Sequence, residues 1–117
     1  MPTTVLIVDD HPSFRATARA ILQADGFDVI GEAETGVAGL SCAKELEPDV
    51  VLLDVQLPDF DGFEVASRLT GNGGGPMVVL TSSRDAADFG PLVAQSGARG
   101  FVPKAELSGA ALKAVLG

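Results

Sequence analysis

With 117 residues, 46% of them hydrophobic and only 5% aromatic, the chain has the length of one domain and enough apolar side chains for a single aliphatic core. Sixteen acidic residues against eight basic ones leave a net charge of −8 with no dense Lys/Arg cluster, which argues against direct binding of nucleic acid or an anionic membrane. A single cysteine, Cys42, excludes an internal disulfide framework, and it reads as a small helix side chain rather than a catalytic thiol.

Met1-Pro2-Thr3-Thr4 carries no basic segment or long apolar stretch, and Val5 to Val8 is too short to cross a bilayer, so a soluble, cytoplasmic chain is expected. Val5-Leu6-Ile7-Val8 is a continuous apolar run into Asp9-Asp10, the pattern of a strand buried on both faces. Pro12 suits a first helical turn, where its missing N–H costs nothing. Phe14, Ala18, Ile21 and Leu22 then form one apolar stripe, predicting a helix to about Asp25 that Gly26 ends. Phe27 to Gly31 reads as a second strand, shorter and nearer an edge. From Gly36 a weaker helix, its intrinsic stability lowered by two glycines, turns Gly39, Leu40, Ala43 and Leu46 inward. Pro48 resets the chain for Val50-Val51-Leu52-Leu53-Asp54, four apolar residues that end on a carboxylate.

A third helix is predicted from Gly62 to Leu69, with Phe63, Ala66 and Leu69 facing in. Gly71-Asn72-Gly73-Gly74-Gly75-Pro76 reads as a flexible connector, because no Lys-Ser/Thr follows as a phosphate-binding P-loop requires. Met77-Val78-Val79-Leu80 is the fourth strand pattern and runs into Thr81-Ser82-Ser83. The helix-like region from Asp85 to Ser96 contains Gly90-Pro91. Proline inside a helix loses a backbone hydrogen bond and clashes with the preceding turn, costing ~3 kcal/mol, whereas in the first turn it costs almost nothing. Asp85 to Phe89 is therefore expected to be a loop or single turn, with a short helix from Pro91 to about Ser96. Gly97-Ala98-Arg99-Gly100 turns into the fifth strand, Gly100-Phe101-Val102, ahead of Pro103-Lys104. The last helix is predicted from near Glu106, with Leu107, Ala111 and Val115 on its inner face.

Strands alternating with helices predict an α/β fold with a parallel sheet covered on both faces and right-handed crossovers. Such sheets place their chemistry beyond the carboxyl ends of the strands, where Asp9-Asp10, Asp54 and Thr81 would gather with Lys104. Singly, each has a plain alternative: Asp-Asp and Thr81 as caps, Asp54 as a turn carboxylate, Lys104 as a solvated charge. Jointly, these residues, the Asp54-to-Pro58 spacing, Asp61-Gly62 beyond it and Phe101 three residues before Lys104 resemble the receiver domain of two-component response regulators. The resemblance covers essentially the whole chain. It implies one receiver domain over residues 1–117, with a flavodoxin-like, doubly wound, five-stranded parallel sheet in the order 2-1-3-4-5 and five helices.

Three carboxylates crowded together repel, so Asp9, Asp10 and Asp54 need a cation or a raised pKa. Mg2+, which favours a few carboxylates plus water and phosphate oxygens, meets that need. By resemblance, Asp54 is the phosphoacceptor and attacks a phosphohistidine or a small phosphodonor to become an acyl phosphate. The resemblance also implies Asp10 as a direct metal ligand, Asp9 as one acting through water, and the backbone carbonyl of Gln56 as the last protein ligand. Lys104 and the Thr81 hydroxyl would contact phosphate oxygens. Thr81 would then move toward the phosphate and Phe101, lacking a hydroxyl, would follow by packing, changing the surface of the fourth helix, fifth strand and fifth helix.

The stretches from Asp9 to Arg15 and from Lys104 to Leu107 are most similar to NarL/LuxR-class receivers, which usually carry a C-terminal helix-turn-helix. A stand-alone receiver and one separated from such a DNA-binding domain both stay open. The implied partners are a sensor histidine kinase or phosphotransfer protein and a downstream protein or that DNA-binding domain, with a phosphorylation-dependent homodimer as a further option. The chain would be no enzyme beyond its own phosphoryl transfer and autodephosphorylation. His11 reads as an extended, solvated residue before Pro12 rather than a metal ligand. Gln56 and Ser83 depart from the common pattern beside the route of an attacking water, which leaves the phosphoryl lifetime open. Ala105 stands where proline is common after Lys104, so a trans bond is expected there. A phosphatase of the haloacid dehalogenase type would need a second Asp where Gln56 stands, and room for a cap. A degenerate receiver used as a scaffold would not be expected to keep Asp9, Asp10, Asp54, Thr81 and Lys104 together.

Overall fold

Apolar runs with no polar face can be satisfied only in the middle of a sheet covered on both sides, and that is where the chain puts them. The computed structural model describes residues 2–71 and 73–117. Its strands are β1 (Thr4–Val8), β2 (Asp28–Ala33), β3 (Val50–Asp54), β4 (Met77–Ser82) and β5 (Gly100–Pro103). They form one five-stranded sheet in the order β2-β1-β3-β4-β5, every pairing parallel. All of β3, the middle strand, is buried. The connecting helices are α1 (Pro12–Ala24), α2 (Gly36–Leu46), α3 (Gly62–Thr70), α4 (Leu92–Gln95) and α5 (Gly109–Leu116), with 3-10 turns at Ala86–Phe89 and Lys104–Glu106. The fold is therefore the flavodoxin-like arrangement expected.

Because strand side chains alternate, the sheet divides the core in two. Val5, Ile7, Val50, Leu52 and Val79 pack with Leu22 of α1 and Leu112 of α5 on one face. Leu6, Val8, Val51, Leu53, Val78 and Leu80 pack with Ala43 of α2 and Val65 and Ala66 of α3 on the other. The register sets Val8 beside Leu53 and Asp54 beside Thr81, so the polar strand ends emerge together. Gly62 starts α3 directly against β3: its N–H donates to the Val55 carbonyl at 2.6 Å, and a Cβ there would collide with the Asp54 carbonyl oxygen. Among the described residues no helix is long and apolar enough to cross a membrane.

Some expectations need correction. β2 is an edge strand, but with six residues it is not shorter than its neighbours. Leu46 is 40% exposed rather than inward-facing. It lies over Gly31 of β2, where the sheet has no outer neighbour to cover it. The last helix begins at Gly109, not near Glu106. Ser108 is its N-cap, accepting the Ala111 N–H at 2.9 Å, while Leu107 is extended and buried ahead of it. The deepest side chain of α5 is Leu112, flanked by the half-buried Ala111 and Val115. Of the connector from Gly71 to Pro76, Asn72 lies outside the described residues, as does Met1 at the N-terminus.

The break at Gly90-Pro91 is as expected. Ala86–Phe89 is a single 3-10 turn, Gly90 has a φ of 58°, and Pro91 caps the four-residue α4. A helix this short has few backbone bonds to hold it. Amides of residues 86–94 should exchange with solvent roughly 100-fold faster than those of β3 in native-state hydrogen exchange. Comparable protection of the two segments would contradict the local weakness.

Candidate functional site

The site forms where β1, β3, β4 and β5 end. Asp9 continues β1 by donating its N–H to the Ala33 carbonyl at 3.0 Å. Its side chain is fully buried, and Oδ1 accepts the His11 N–H at 2.8 Å. Oδ2 pairs with Lys104 Nζ at 2.7 Å and has no other polar partner among the described residues. Asp54, also buried, accepts Lys104 Nζ on Oδ2 at 3.3 Å and the Gln56 N–H on Oδ1 at 3.2 Å. Lys104 thus spans both carboxylates, with 17% of its side chain exposed and Nζ 4.5 Å from the centre of the Phe14 ring. Asp10 is exposed beside them. One ligand atom each from Asp9, Asp10, His11 and Asp54 all lie within 4.8 Å of one another.

These charges do not cancel. Burial, and then the Asp9 carboxylate, push the Asp54 carboxyl above its ordinary value of 3.8, against the Gln56 N–H and Lys104, which lower it. The donor set is mainly carboxylate oxygen, with two buried carboxylates sharing one lysine, and that composition suits a hard divalent cation.

The sequence-predicted residues therefore come together, with differences in detail. Thr81 sits beside Asp54 in register, yet its hydroxyl donates to the Val102 carbonyl at 2.6 Å. Phe101 is half-buried, with its ring 5.7 Å from that of Phe89, which is in turn 5.5 Å from Phe63. His11 is extended and 62% exposed as expected, but its Nδ1 lies 3.1 Å from Asp9 and 3.2 Å from Asp10, so it belongs to the acidic cluster. Gln56 bridges to Asp61 and closes the loop after β3. Every peptide bond among the described residues is trans, Lys104–Ala105 included.

Three contributors were missed in the sequence. Phe89 joins the aromatic row, and lay unmarked within a segment read only for its helix break. Asp59 ties the loop after β3 to the start of α2, accepting the N–H groups of Gly36 (2.7 Å), Val37 (2.9 Å) and Phe60 (2.9 Å). The Val37 N–H foremost holds its carboxyl below the ordinary 3.8. Arg15 is buried on α1 with Ala18 and Leu22, and its i, i+3, i+7 spacing with them was the available signal.

The family profile described as response regulator receiver domain matches residues 5–116. The chain is 41% identical over 106 residues to the virulence-factor transcription regulator BvgA of Bordetella pertussis, covering 91% of this chain and 51% of that protein. It is 40% identical over 106 residues to the DNA-binding response regulator MtrA of Mycolicibacterium smegmatis, covering 89% of this chain and 45% of that one. The chain spans about half the length of the curated relatives it matches. The signal receiver domain of the response regulator NarL from Mycobacterium tuberculosis superposes with a TM-score of 0.87 at 34% identity, covering 99% of this chain and 98% of that one. The BeF3-activated N-terminal receiver domain of Klebsiella pneumoniae RstA gives a TM-score of 0.83 at 30% identity, covering 97% and 95%.

The raised Asp54 has a consequence for stability. The folded protein holds this proton more tightly than the unfolded chain, so the stability it contributes is fully present below pH 3.8 and is lost as pH rises through the raised folded value. Asp54→Asn keeps an acceptor for the Gln56 N–H and leaves Lys104 paired with Asp9. In metal-free buffer at pH 7 it should raise the melting temperature, by about 4–8 °C for each kcal/mol of relieved repulsion, and the gain should shrink in acid. A lower melting temperature for the Asn variant at pH 7 would contradict this account.

Proposed function

We propose that this chain, which belongs to the response regulator receiver family, is a single receiver domain over residues 1–117 and a phosphorylation-driven switch with Asp54 as its phosphoacceptor. The observation that carries the reading is a buried strand-end carboxylate with a lysine on one oxygen, a backbone N–H on the other and two further aspartates within reach.

An Asp54 oxygen attacks the phosphorus of a phosphohistidine or a small phosphodonor. The new O–P bond forms as the P–N bond, or the donor's P–O bond, breaks, and the leaving group takes the electron pair. Asp9, Asp10, Asp54 and the Gln56 carbonyl are the residues that would hold Mg2+. When bound, the ion offsets the carboxylate charge and that of the arriving phosphoryl group. Lys104 turns from the Asp54 carboxylate to a phosphate oxygen as a charge-assisted donor.

Thr81 couples this chemistry to the surface. To reach a phosphate oxygen its hydroxyl must leave the Val102 carbonyl, and Phe101, one residue before Val102 on β5, repacks into the space. Phe101 contacts Phe89, so the same motion reaches the 3-10 turn and α4, changing the α4-β5-α5 surface. The driving force is the difference in phosphate contacts between the two arrangements.

In this reading the partners are a sensor histidine kinase or phosphotransfer protein upstream and a protein or attached DNA-binding domain downstream, with homodimerisation on phosphorylation as a further outcome. The setting is the cytoplasm. The chain turns over no substrate beyond its own phosphoryl group and binds no nucleic acid itself, in keeping with its −8 charge. A phosphatase of the haloacid dehalogenase type is not favoured, since Gln56 stands where its second aspartate is needed.

Incubation with acetyl phosphate and Mg2+ should add one phosphoryl group by intact mass, and Asp54→Asn should add none. The substitution keeps the shape and removes the nucleophilic oxygen. Undiminished labelling of the Asn variant would move the acceptor elsewhere.

A further inference from the structure

One buried charge has no part in the chemistry above. Arg15 exposes only 11% of its side chain. Its Nη1 donates to the Asp9 carbonyl at 2.7 Å, and so grips the peptide that joins Asp9 to Asp10. Its Nε donates to Glu32 Oε1 at 3.0 Å and its Nη2 to Glu34 Oε1 at 3.5 Å. Arg19 holds the other oxygen of Glu32 at 2.8 Å and donates to the Val29 carbonyl at 3.1 Å. The Glu32 carboxyl is held below its ordinary 4.5, chiefly by the hydrogen bond from Arg19 and, against the opposing effect of burial, by that from Arg15. The anchor is therefore ionised at neutral pH.

On its other side Asp9 donates its N–H to the Ala33 carbonyl of β2. The backbone of Asp9 is thus fixed from both directions by groups that occupy none of the oxygens of its carboxylate or that of Asp10. A buried guanidinium is a weak way to gain stability, because desolvation offsets most of its attraction to a carboxylate. It is an effective way to fix a peptide, because its planar fork aims several donors at once. Without that grip, the Asp9 N–H bond to Ala33 alone would hold the loop against repulsion among Asp9, Asp10 and Asp54 and against the pull of Lys104 on Asp9.

We propose that Arg15, braced by Glu32, is a positioning residue that presets the Asp9 and Asp10 carboxylates for a divalent cation. This rests on reading Asp9, Asp10 and Asp54 as the Mg2+ site. The test is an NMR titration with Mg2+, following the amides of Asp10 and His11, in wild type, Arg15→Met, Arg15→Lys, Arg19→Met and Asp10→Ala. Loss of the bond to the Asp9 carbonyl should weaken Mg2+ binding about 10- to 100-fold in Arg15→Met, with partial recovery in Arg15→Lys, which keeps the charge but not the fork. Arg19→Met cuts a second tie between α1 and β2, the bonds of Arg19 to Glu32 and the Val29 carbonyl, without touching Asp9, and should lower the melting temperature while keeping Mg2+ affinity within about twofold of wild type. Wild-type affinity in Arg15→Met, or equal weakening by Arg15→Met and Arg19→Met, overturns the positioning role alone. A wild type that does not respond to Mg2+, or an Asp10→Ala variant that responds like wild type, overturns the metal site and the proposal with it. If Arg15→Met does not fold, Arg15→Lys carries the same comparison.

Discussion

Two carboxylates buried side by side at the end of a sheet are held there by one ammonium group. Lys104 Nζ is 2.7 Å from Asp9 and 3.3 Å from Asp54, and both aspartates are shut away from water. A buried charge without a partner costs several kcal/mol, so this bridge lets the strand ends carry acids at all. One lysine cannot neutralise two carboxylates with a third, Asp10, close by. The remaining repulsion shows in the raised Asp54 carboxyl. The site is short of positive charge, and it is open where a cation would approach, through the exposed Asp10. Arriving positive charge therefore does more here than at an ordinary acidic surface, where solvent already screens the repulsion.

The rest of the structure reads outward from that bridge. Lys104 follows β5 directly, so whatever draws its ammonium away from Asp54 also acts on the strand that carries Phe101 and Val102. Thr81 grips the same strand through the Val102 carbonyl. Phe101 then leads through Phe89 to Phe63, crossing from β5 through the 3-10 turn to α3. On the far side of the sheet α1 and β2 are braced by Arg15, Glu32 and Arg19, an ion-pair network where the α4 region has only a broken helix. The ion pairs thus lie beside β1 and β2, and the short, broken helix beside β4 and β5.

Much of this was legible in the sequence, for definite reasons. The central strands are buried on both faces, so β1, β3 and β4 appear as uninterrupted apolar runs, and the polar residues that end them mark the sheet edge where the site forms. Gly90-Pro91 signals its break by local sterics alone. What escaped depends on tertiary partners. Nothing local reveals that the Thr81 hydroxyl faces Val102, because that follows from the register of β4 against β5. Arg15 was passed over because a charged residue on a helix is ordinarily assigned to water, although its spacing placed it on the buried face. The start of α5 was misjudged because Leu107 is apolar and buried like a helical core residue, while the cap that sets the start, Ser108, follows it.

The most direct measurement is an NMR titration of the isotopically labelled domain with Mg2+ and then with beryllofluoride, a mimic of the acyl phosphate. Mg2+ alone should move the signals of Asp9, Asp10 and Gln56, and beryllofluoride should then move those of Thr81, Phe89, Phe101 and Val102, with no second step in Asp54→Asn. Signals of Thr81 and Phe101 that stay in place while the mimic is bound at Asp54, or a second step that persists in the Asn variant, would contradict it.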